Sequence, residues 1–475
     1  MYSYMPGTST AAPFVTGAVA LIRSRYPELT APLVRDVIVK TADDLGAPGF
    51  DYYYGWGRLN MQIALWWDRI LNKSFYPRMS AFNNSARVAR FGNNVYVVFR
   101  KETQINYLKS TDGGVSFGPE QNIAESDYLT NPAICLSTNG TPYIVWGQYT
   151  RVSGRGGPQD PGWHLQYYVK WYTTGWNSRL IYDEILDNNP DNPPPDTLQY
   201  LVPPSFTVSA DSGYVVFLKH CPNLSRVIRF SLANPGYSYE MPFIEIPYGV
   251  LYDRTPVIGY DRGDPNNLVD DRVVVVVRKW SYLIKLYFRR INTNQWDSLE
   301  VPNYSAFGSP SLWVGQNELR IAFEGWNNNN LQEGLFFLRI PYQNNTYNVN
   351  QPVELVSNNF DDGEELLGYT YLAGPDVVLW KYQDDIWYAQ RQAGAWLTLG
   401  NLSQSGGVSS YPQGLVFGSF LRQKLFALWT GIGDKQILPP RPRSVEFVAS
   451  DFSRTKRFVH LIRHEIWWLD ATKVN

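Results

Sequence analysis

Cysteine is nearly missing. Cys135 and Cys221 are the only two in 475 residues, too few for a disulfide framework, and no histidines cluster with them to make a zinc site. Both lie in or beside apolar strand-like runs, where two buried free thiols are expected. Histidine is almost as scarce: His164, His220, His460 and His464 are scattered, and none stands in a His-Gly-Thr context. Charge of either sign is not in excess, with 42 Lys and Arg against 43 Asp and Glu. That balance offers no electrostatic basis for binding nucleic acid or an anionic membrane. No apolar run approaches the roughly 20 residues of a membrane-spanning helix. The longest β-branched run, Val273 to Val277, reads as a buried strand.

What is abundant is aromatic. Phe, Trp and Tyr make up 15% of the chain while charged residues reach only 18%, a balance that suits a β-rich extracellular protein. From about residue 86 a unit recurs in which an apolar strand, a turn and a strongly β-branched or aromatic strand follow one another. The second strands read Val95 to Arg100, Tyr143 to Gly147, Tyr214 to Lys219, Val273 to Lys279, Leu319 to Trp326, Val377 to Tyr382 and Leu425 to Gly431. Spacings of this order fit propeller blades with some long loops. A final strand pair, Phe458 to Ile462 and Glu465 to Asp470, is expected to complete the last blade or an eighth.

The first 67 residues differ in kind. Gly7-Thr8-Ser9-Thr10-Ala11-Ala12-Pro13 precedes an apolar, helix-like run from Phe14 to Ile22. One reading makes Thr8 or Ser9 the cap of an apolar helix with Pro13 in its first turn. The other makes Ser9 a nucleophile, which needs a base to take its proton and donors to hold an oxyanion. The free N–H groups of a helix start supply such donors, and Gly7 permits close approach. A second helical pattern opens at Thr30-Ala31-Pro32 with Val34, Val37 and Ile38 on one face. Thr41-Ala42-Asp43-Asp44-Leu45-Gly46, Tyr54-Gly55-Trp56-Gly57-Arg58-Leu59-Asn60 and a short helix from Met61 to Trp67 follow in order.

This ordered series resembles the C-terminal part of the catalytic domain of subtilisin-like serine peptidases, with Thr10 where that family usually has Met and Phe14 where it has His. The resemblance implies that Ser9 is the catalytic nucleophile and that its backbone N–H contributes to the oxyanion hole. Gly7, Thr8 and Pro13 would support the motif, no metal would be required, and the substrate would be a protein or peptide. The family's triad runs Asp, His, Ser along the chain, and only eight residues precede Ser9. The chain is therefore expected to be a C-terminal fragment of a secreted endopeptidase, inactive by itself because triad members act as a unit.

Ser110-Thr111-Asp112-Gly113-Gly114-Val115-Ser116-Phe117 resembles the Asp-box hairpin of sialidase-like β-propellers. There the Asp is expected to accept turn N–H groups and the glycines to take positive φ. The fold expected is thus mainly β: a propeller of about seven blades over residues 86–475, preceded by a 68–85 linker and by a small α-helical remnant of a subtilisin-like α/β domain over 1–67. The propeller is expected to bind a surface polymer or glycan. Two acidic loops, Asp261, Asp264, Asp270, Asp271 and Asp361, Asp362, Glu364, Glu365, could hold Ca²⁺ but lack EF-hand spacing, so solvated loops are the expectation. The alternatives are a non-catalytic binding or structural propeller and a sialidase-type glycoside hydrolase.

Overall fold

In the computed structural model, the described residues are 7–25, 27, 29–42, 45, 51–65, 70–74, 84–101, 103–114, 117–126, 128–152, 162–187, 203–219, 224–235, 238–241, 256–263, 270–279, 281–293, 295–361, 369–383, 385–392, 394–402, 409–419, 422–432 and 464–470. Two compact units divide the chain, residues 1–71 and 72–475.

Among the described residues of the first unit three helices form: α1 (Thr8–Arg25), α2 (Ala31–Thr41) and α3 (Met61–Leu65). Thr30 caps α2 in extended conformation and Pro32 follows at the second helical position, where a missing N–H costs no helical bond. Val34 and Val37 point inward as their spacing requires, and with Ile22, Leu29 and Ala64 they form a small core. Between α2 and α3 a tight turn is held by Asp51, whose Oδ1 accepts the N–H groups of Tyr53 and Tyr54 at 2.7 Å each. Gly55 closes that turn at φ 62°, a conformation that favours glycine. No described helix is long and apolar enough to cross a membrane.

Among the described residues, seven four-stranded sheets follow. Blade 1 is β2 (Val88–Phe91), β3 (Asn94–Lys101), β4 (Gln104–Ser110) and β5 (Gln121–Glu125). Blade 2 is β6 (Ala133–Leu136), β7 (Pro142–Val152), β8 (Gly162–Tyr172) and β9 (Trp176–Asp187). Blade 3 is β10 (Ser205–Val208), β11 (Ser212–Lys219), β12 (Leu224–Ser231) and β13 (Ser238–Met241). Blade 4 is β14 (Val257–Asp261), β15 (Arg272–Arg278), β16 (Leu283–Arg290) and β17 (Asp297–Ala306). Blade 5 is β18 (Ser311–Gly315), β19 (Glu318–Asn327), β20 (Glu333–Gln343) and β22 (Val353–Ser357), with β21 (Thr346–Tyr347) as a short return on β20. Blade 6 is β23 (Tyr371–Gly374), β24 (Val377–Tyr382), β25 (Asp385–Gln392) and β26 (Ala395–Asn401). Blade 7 is β27 (Ser409–Ser419), β28 (Arg422–Ile432), β29 (His464–Asp470) and, as its outer strand, β1 (Ile70–Ser74).

The first strands adjoin in ring order, β2, β6, β10, β14, β18, β23, β27 and back to β2, so the sheets form a β-propeller. Each recurring apolar strand read from the sequence is the second strand of its blade, because that strand is buried on both faces. In β11, Val215 and Phe217 join a core with blade 2 while Tyr214 and Val216 join one with blade 4. The β15 run is buried at every residue for the same reason. The seventh blade departs from expectation. Glu465 to Asp470 lies in its third strand, whereas its fourth is Ile70–Ser74, drawn from the segment expected as a linker. Phe458 to Ile462 lies outside the described residues. Closing the last sheet with a strand from the other end of the unit satisfies an edge that local sequence could not.

Blades 4 and 5 are joined by pairing of Tyr304–Ala306 with Gly325–Asn327. A Cβ on Gly325 would stand 1.9 Å from the Ser305 carbonyl oxygen. Gly325→Ala is expected to part these strands and lower stability by about 2–3 kcal/mol, read as a fall in the urea midpoint. At the hub, Asn84 Nδ2 donates to the carbonyls of Pro203 (3.0 Å) and Pro256 (3.3 Å), and the Arg87 N–H donates to Gln413 Oε1 (3.3 Å). The short segment before blade 1 thereby ties together the entries to blades 3, 4 and 7.

Candidate functional site

Ser9 is the second residue of α1. Gly7 stands before the helix at φ 140°, and its carbonyl accepts the N–H groups of Thr10 (3.1 Å) and Ala11 (3.3 Å) and the Thr10 hydroxyl (2.8 Å). The N–H groups of Thr8 and Ser9 therefore precede the first helical bonds and have no helical acceptor. Both residues are exposed, and Ser9 Oγ lies 3.6 Å from where a Gly7 Cβ would stand. A hydroxyl and two backbone donors thus share the positive end of an 18-residue helix. Pro13 does not sit in the first turn, as the capping reading expected, but at the sixth helical residue. Lacking an N–H, it cannot donate to the Ser9 carbonyl four residues back, although α1 runs on through it.

Large apolar residues along α1 are uncovered. Phe14 is 73% exposed and Leu21 54%. Of the four histidines, His164 lies on β8 with Nδ1 2.8 Å from Asp183 Oδ1, and His464 opens β29. His220 and His460 lie outside the described residues.

Neither acidic loop forms an open cation site among the described residues. Asp261 accepts Arg272, Asp270 pairs with Arg272 and Arg290, and Asp271 accepts the Tyr260 hydroxyl and the Gly263 N–H. In the second loop Asp361 pairs with Lys381 at 3.2 Å. Asp264, Asp362, Glu364 and Glu365 lie outside the described residues, and no group of three or more His, Cys, Asp or Glu side chains converges among the described ones.

The Ser110 turn joins β4 to β5 with Gly113 and Gly114 at φ 80° and 93°. Ser110 Oγ accepts the N–H groups of Asp112 (3.3 Å) and Gly114 (2.8 Å) and donates to Asp112 Oδ1 (2.6 Å). Two further turns repeat the scheme unannounced by the motif, Ser137 with Asn139 and Thr141, and Ser209 with Asp211 and Ser212. A Ser-x-[Asp/Asn] search would have found them. Cys135 is a free thiol whose Sγ donates to the Phe206 carbonyl at 3.1 Å, and burial pushes its pKa up to about 12. It is expected to resist iodoacetamide at mildly alkaline pH while the protein is folded and to react once unfolded, as mass spectrometry would show. Cys221 lies outside the described residues.

Also missed from sequence is a polar ladder on blade 2, where Gln148 and Thr150 of β7 face Gln166 and His164 of β8. Its signal is alternation: polar side chains at every second position of strands otherwise filled with hydrocarbon.

Residues 1–57 match the Subtilase family of peptidases. An extracellular serine protease of Serratia marcescens is 45% identical over 64 residues, 14% of this chain and 6% of that protein. Subtilisin DY of Bacillus licheniformis is 46% identical over 63 residues, 13% of this chain and 22% of that protein. The autotransporter lipoprotein NalP of Neisseria meningitidis is 44% identical over 59 residues, 12% of this chain and 6% of that protein. The chain therefore spans only a small part of the length of these relatives. Among solved structures, the polysaccharide lyase Uly1 aligns with 93% of this chain and 96% of its own at 12% identity and a TM-score of 0.42. The β-propeller domain of the Trilobed protease from Pyrococcus furiosus aligns with 72% of this chain and 95% of its own at 11% identity and a TM-score of 0.36.

Proposed function

We propose that residues 1–67 are the nucleophile-bearing part of a subtilase-type serine endopeptidase, and that the propeller is an accessory domain that binds substrate or a surface polymer outside the cell. The observation that carries this reading is Ser9 at the second position of a glycine-capped helix, in a segment similar to subtilases over residues 1–57. In this reading Ser9 Oγ attacks the peptide carbonyl, and the carbon–oxygen double bond opens to an oxyanion that the Ser9 N–H helps to hold. A histidine takes the serine proton and returns it to the leaving amine, while an aspartate orients the imidazole. None of the four histidines stands in the sequence context of that base, and the uncovered apolar face of α1 has the character of a surface that packs on further structure. Residues 1–475 alone are therefore assigned no peptidase activity.

Treating the longest polypeptide encoded in the frame of residues 1–475 with a fluorophosphonate probe is the test. Labelling at Ser9 that disappears in Ser9→Ala is expected, with residues 1–475 alone unlabelled. A folded long form that resists the probe and cleaves no casein would instead mark the helical unit as inert and leave a binding propeller.

A further inference from the structure

Successive strands of blades 1 to 6 pair antiparallel, so the turns after the first and third strands open on one face of the propeller and those after the second strands on the other. The two faces use left-handed backbone differently. Among the described residues, the turns after first and third strands place only Gly or Asn at positive φ, as at Gly92, Gly140, Asn317 and Asn344. Chirality favours this choice, because a Cβ crowds the neighbouring carbonyl in that conformation and only Gly or a short amide tolerates it well.

The turns after the second strands of blades 4, 5 and 6 break the rule. Their left-handed positions hold Tyr282 (φ 65°), Leu331 (φ 57°) and Gln383 (φ 50°). A bulky side chain strains the backbone there, and such strain is typical of sites where the side chain serves a function. Burial does not supply the reason, since Leu331 is 74% exposed and Tyr282 40%.

The surroundings hold these two side chains in place. The Arg278 guanidinium lies 4.5 Å from the centroid of the Tyr282 ring, and the Tyr282 carbonyl accepts the Ala306 N–H at 2.8 Å. Tyr282 meets Trp326 at 5.1 Å between centroids, Trp326 meets Phe307 at 4.9 Å, and Phe307 meets Phe360 at 6.2 Å. The last three rings are half-buried, so the row is rooted in the blades and reaches the surface at Tyr282. The Leu331 turn starts beside Trp326 and is pinned by its own amides. The Leu331 N–H donates to the Asn327 carbonyl (2.8 Å), Asn327 Oδ1 accepts the Asn329 N–H (2.9 Å), and Asn330 Oδ1 accepts the Gln332 N–H (3.0 Å). The Asn328 N–H donates to the Asn303 carbonyl of β17 at 2.8 Å, which locks the turn to blade 4.

The chemistry of this surface selects its partner. Residues 327–332 read Asn-Asn-Asn-Asn-Leu-Gln and carry no charge, and nearby Lys279 is paired with Glu300 at 3.1 Å. A polyanion or polycation therefore finds little to meet. A sugar offers a small apolar face that suits flat rings, which branched Leu331 is not. An extended polypeptide offers hydrocarbon side chains beside backbone amides, the complement of leucine and tyrosine set among Asn and Gln. We propose that this face of blades 4 and 5 docks an extended, uncharged, apolar segment of a polypeptide, with Tyr282 and Leu331 meeting its side chains and Asn329 and Asn330 its backbone. The proposal rests on the reading of the propeller as a substrate-binding part and names the substrate class and the place.

An array of overlapping peptides covering casein, probed with fluorescein-labelled residues 1–475 carrying Ser9→Ala, tests it, with cellulose and xylan as carbohydrate comparators. Retention by uncharged segments rich in Leu, Val and aromatics, and not by charged segments or either polysaccharide, is expected. For the tightest segment, fluorescence anisotropy should give a Kd raised about tenfold in Leu331→Asn and in Tyr282→Asn. Leu331→Asn should also unfold at an equal or higher urea midpoint than the parent, because Asn takes the left-handed position more easily and the leucine is largely exposed. A lower midpoint would make Leu331 a packing residue and overturn the proposal. Binding to cellulose or xylan in place of peptide, lost in the same variants, would overturn it in favour of a glycan. Peptide binding unchanged in both folded variants removes this surface and leaves a substrate-binding propeller standing, whereas a parent that binds neither peptide nor polysaccharide removes both readings.

Discussion

Asp261→Asn is expected to lower the free energy of unfolding by about 3–5 kcal/mol, seen as a lower urea midpoint at unchanged slope. Asp261 and Arg272 are both completely buried, with Arg272 Nη2 2.9 Å from Asp261 Oδ2. The Tyr347 hydroxyl donates to the same oxygen at 2.5 Å, and the Asn317 N–H donates to Oδ1 at 2.9 Å. Burial opposes the charge on Arg272, yet Tyr347 and Asp261 together hold its pKa above the ordinary value. Its guanidinium also lies 3.5 Å from the centroid of the Tyr342 ring. Asparagine would keep the shape and remove the charge. Of its two carboxylate partners Arg272 would keep only Asp270, 3.1 Å away and 30% exposed, beside its hydrogen bonds to Asn317 and Tyr347. Because β14, β15, the β18–β19 turn and β21 all meet at this point, the loss should loosen blades 4 and 5 together. Replacing both partners by apolar residues, as in Asp261→Leu with Arg272→Met, is expected to recover part of it, since an uncompensated buried charge costs more than an absent pair. A single-variant loss below about 1 kcal/mol would show that Asp270 suffices as counter-ion.

The second large effect is alkaline unfolding. Tyr149, Tyr167, Tyr347 and Tyr371 are buried, and burial raises each phenol above its ordinary value, helped at Tyr347 by neighbouring Asp261. A raised folded pKa means that the folded state keeps a proton which the unfolded chain gives up near pH 10. The stability so contributed is complete below about pH 10 and is lost as pH climbs toward the folded values. Each such group removes about 1.4 kcal/mol per pH unit, so four together remove on the order of 5 kcal/mol per unit. Against a total of roughly 5–15 kcal/mol, the propeller should unfold cooperatively within about two units above pH 10. Above the gradual rise from exposed tyrosines, tyrosinate absorbance should show a cooperative step that coincides with loss of the β signal in circular dichroism. Full ionisation of all the tyrosines with the sheet signal intact would mean that these phenols reach solvent without unfolding.

Much of the fold was legible because its signals are local. A strand pressed between two neighbouring blades is apolar on both faces, so Val273 to Val277 or Tyr214 to Lys219 announces itself without reference to its partners. Outer strands carry weaker patterns. β17 exposes most of its first half and β1 reads only Ile-Leu-Asn-Lys-Ser. What makes Ile70–Ser74 a strand is the open edge of β29 at the far end of the chain, and no window of neighbouring residues contains that edge. The serine helix lay at the legible extreme, since Gly7, Ser9 and Pro13 act on one another within two turns. Even there the helix start was misjudged by enough to move Pro13 out of the first turn, because Gly7 and not Thr8 or Ser9 provides the cap.

Composition and local pattern were thus sufficient for the mainly β class, the repeating unit and the helix that carries Ser9, all of which depend on residues close together in the chain. Three features came from long-range packing: the closing of blade 7 by β1, the Asp261–Arg272–Tyr347 node, and the meeting of His164 with Asp183. Each depends on register, and a shift of one residue would carry the same side chains to the opposite face of their sheets.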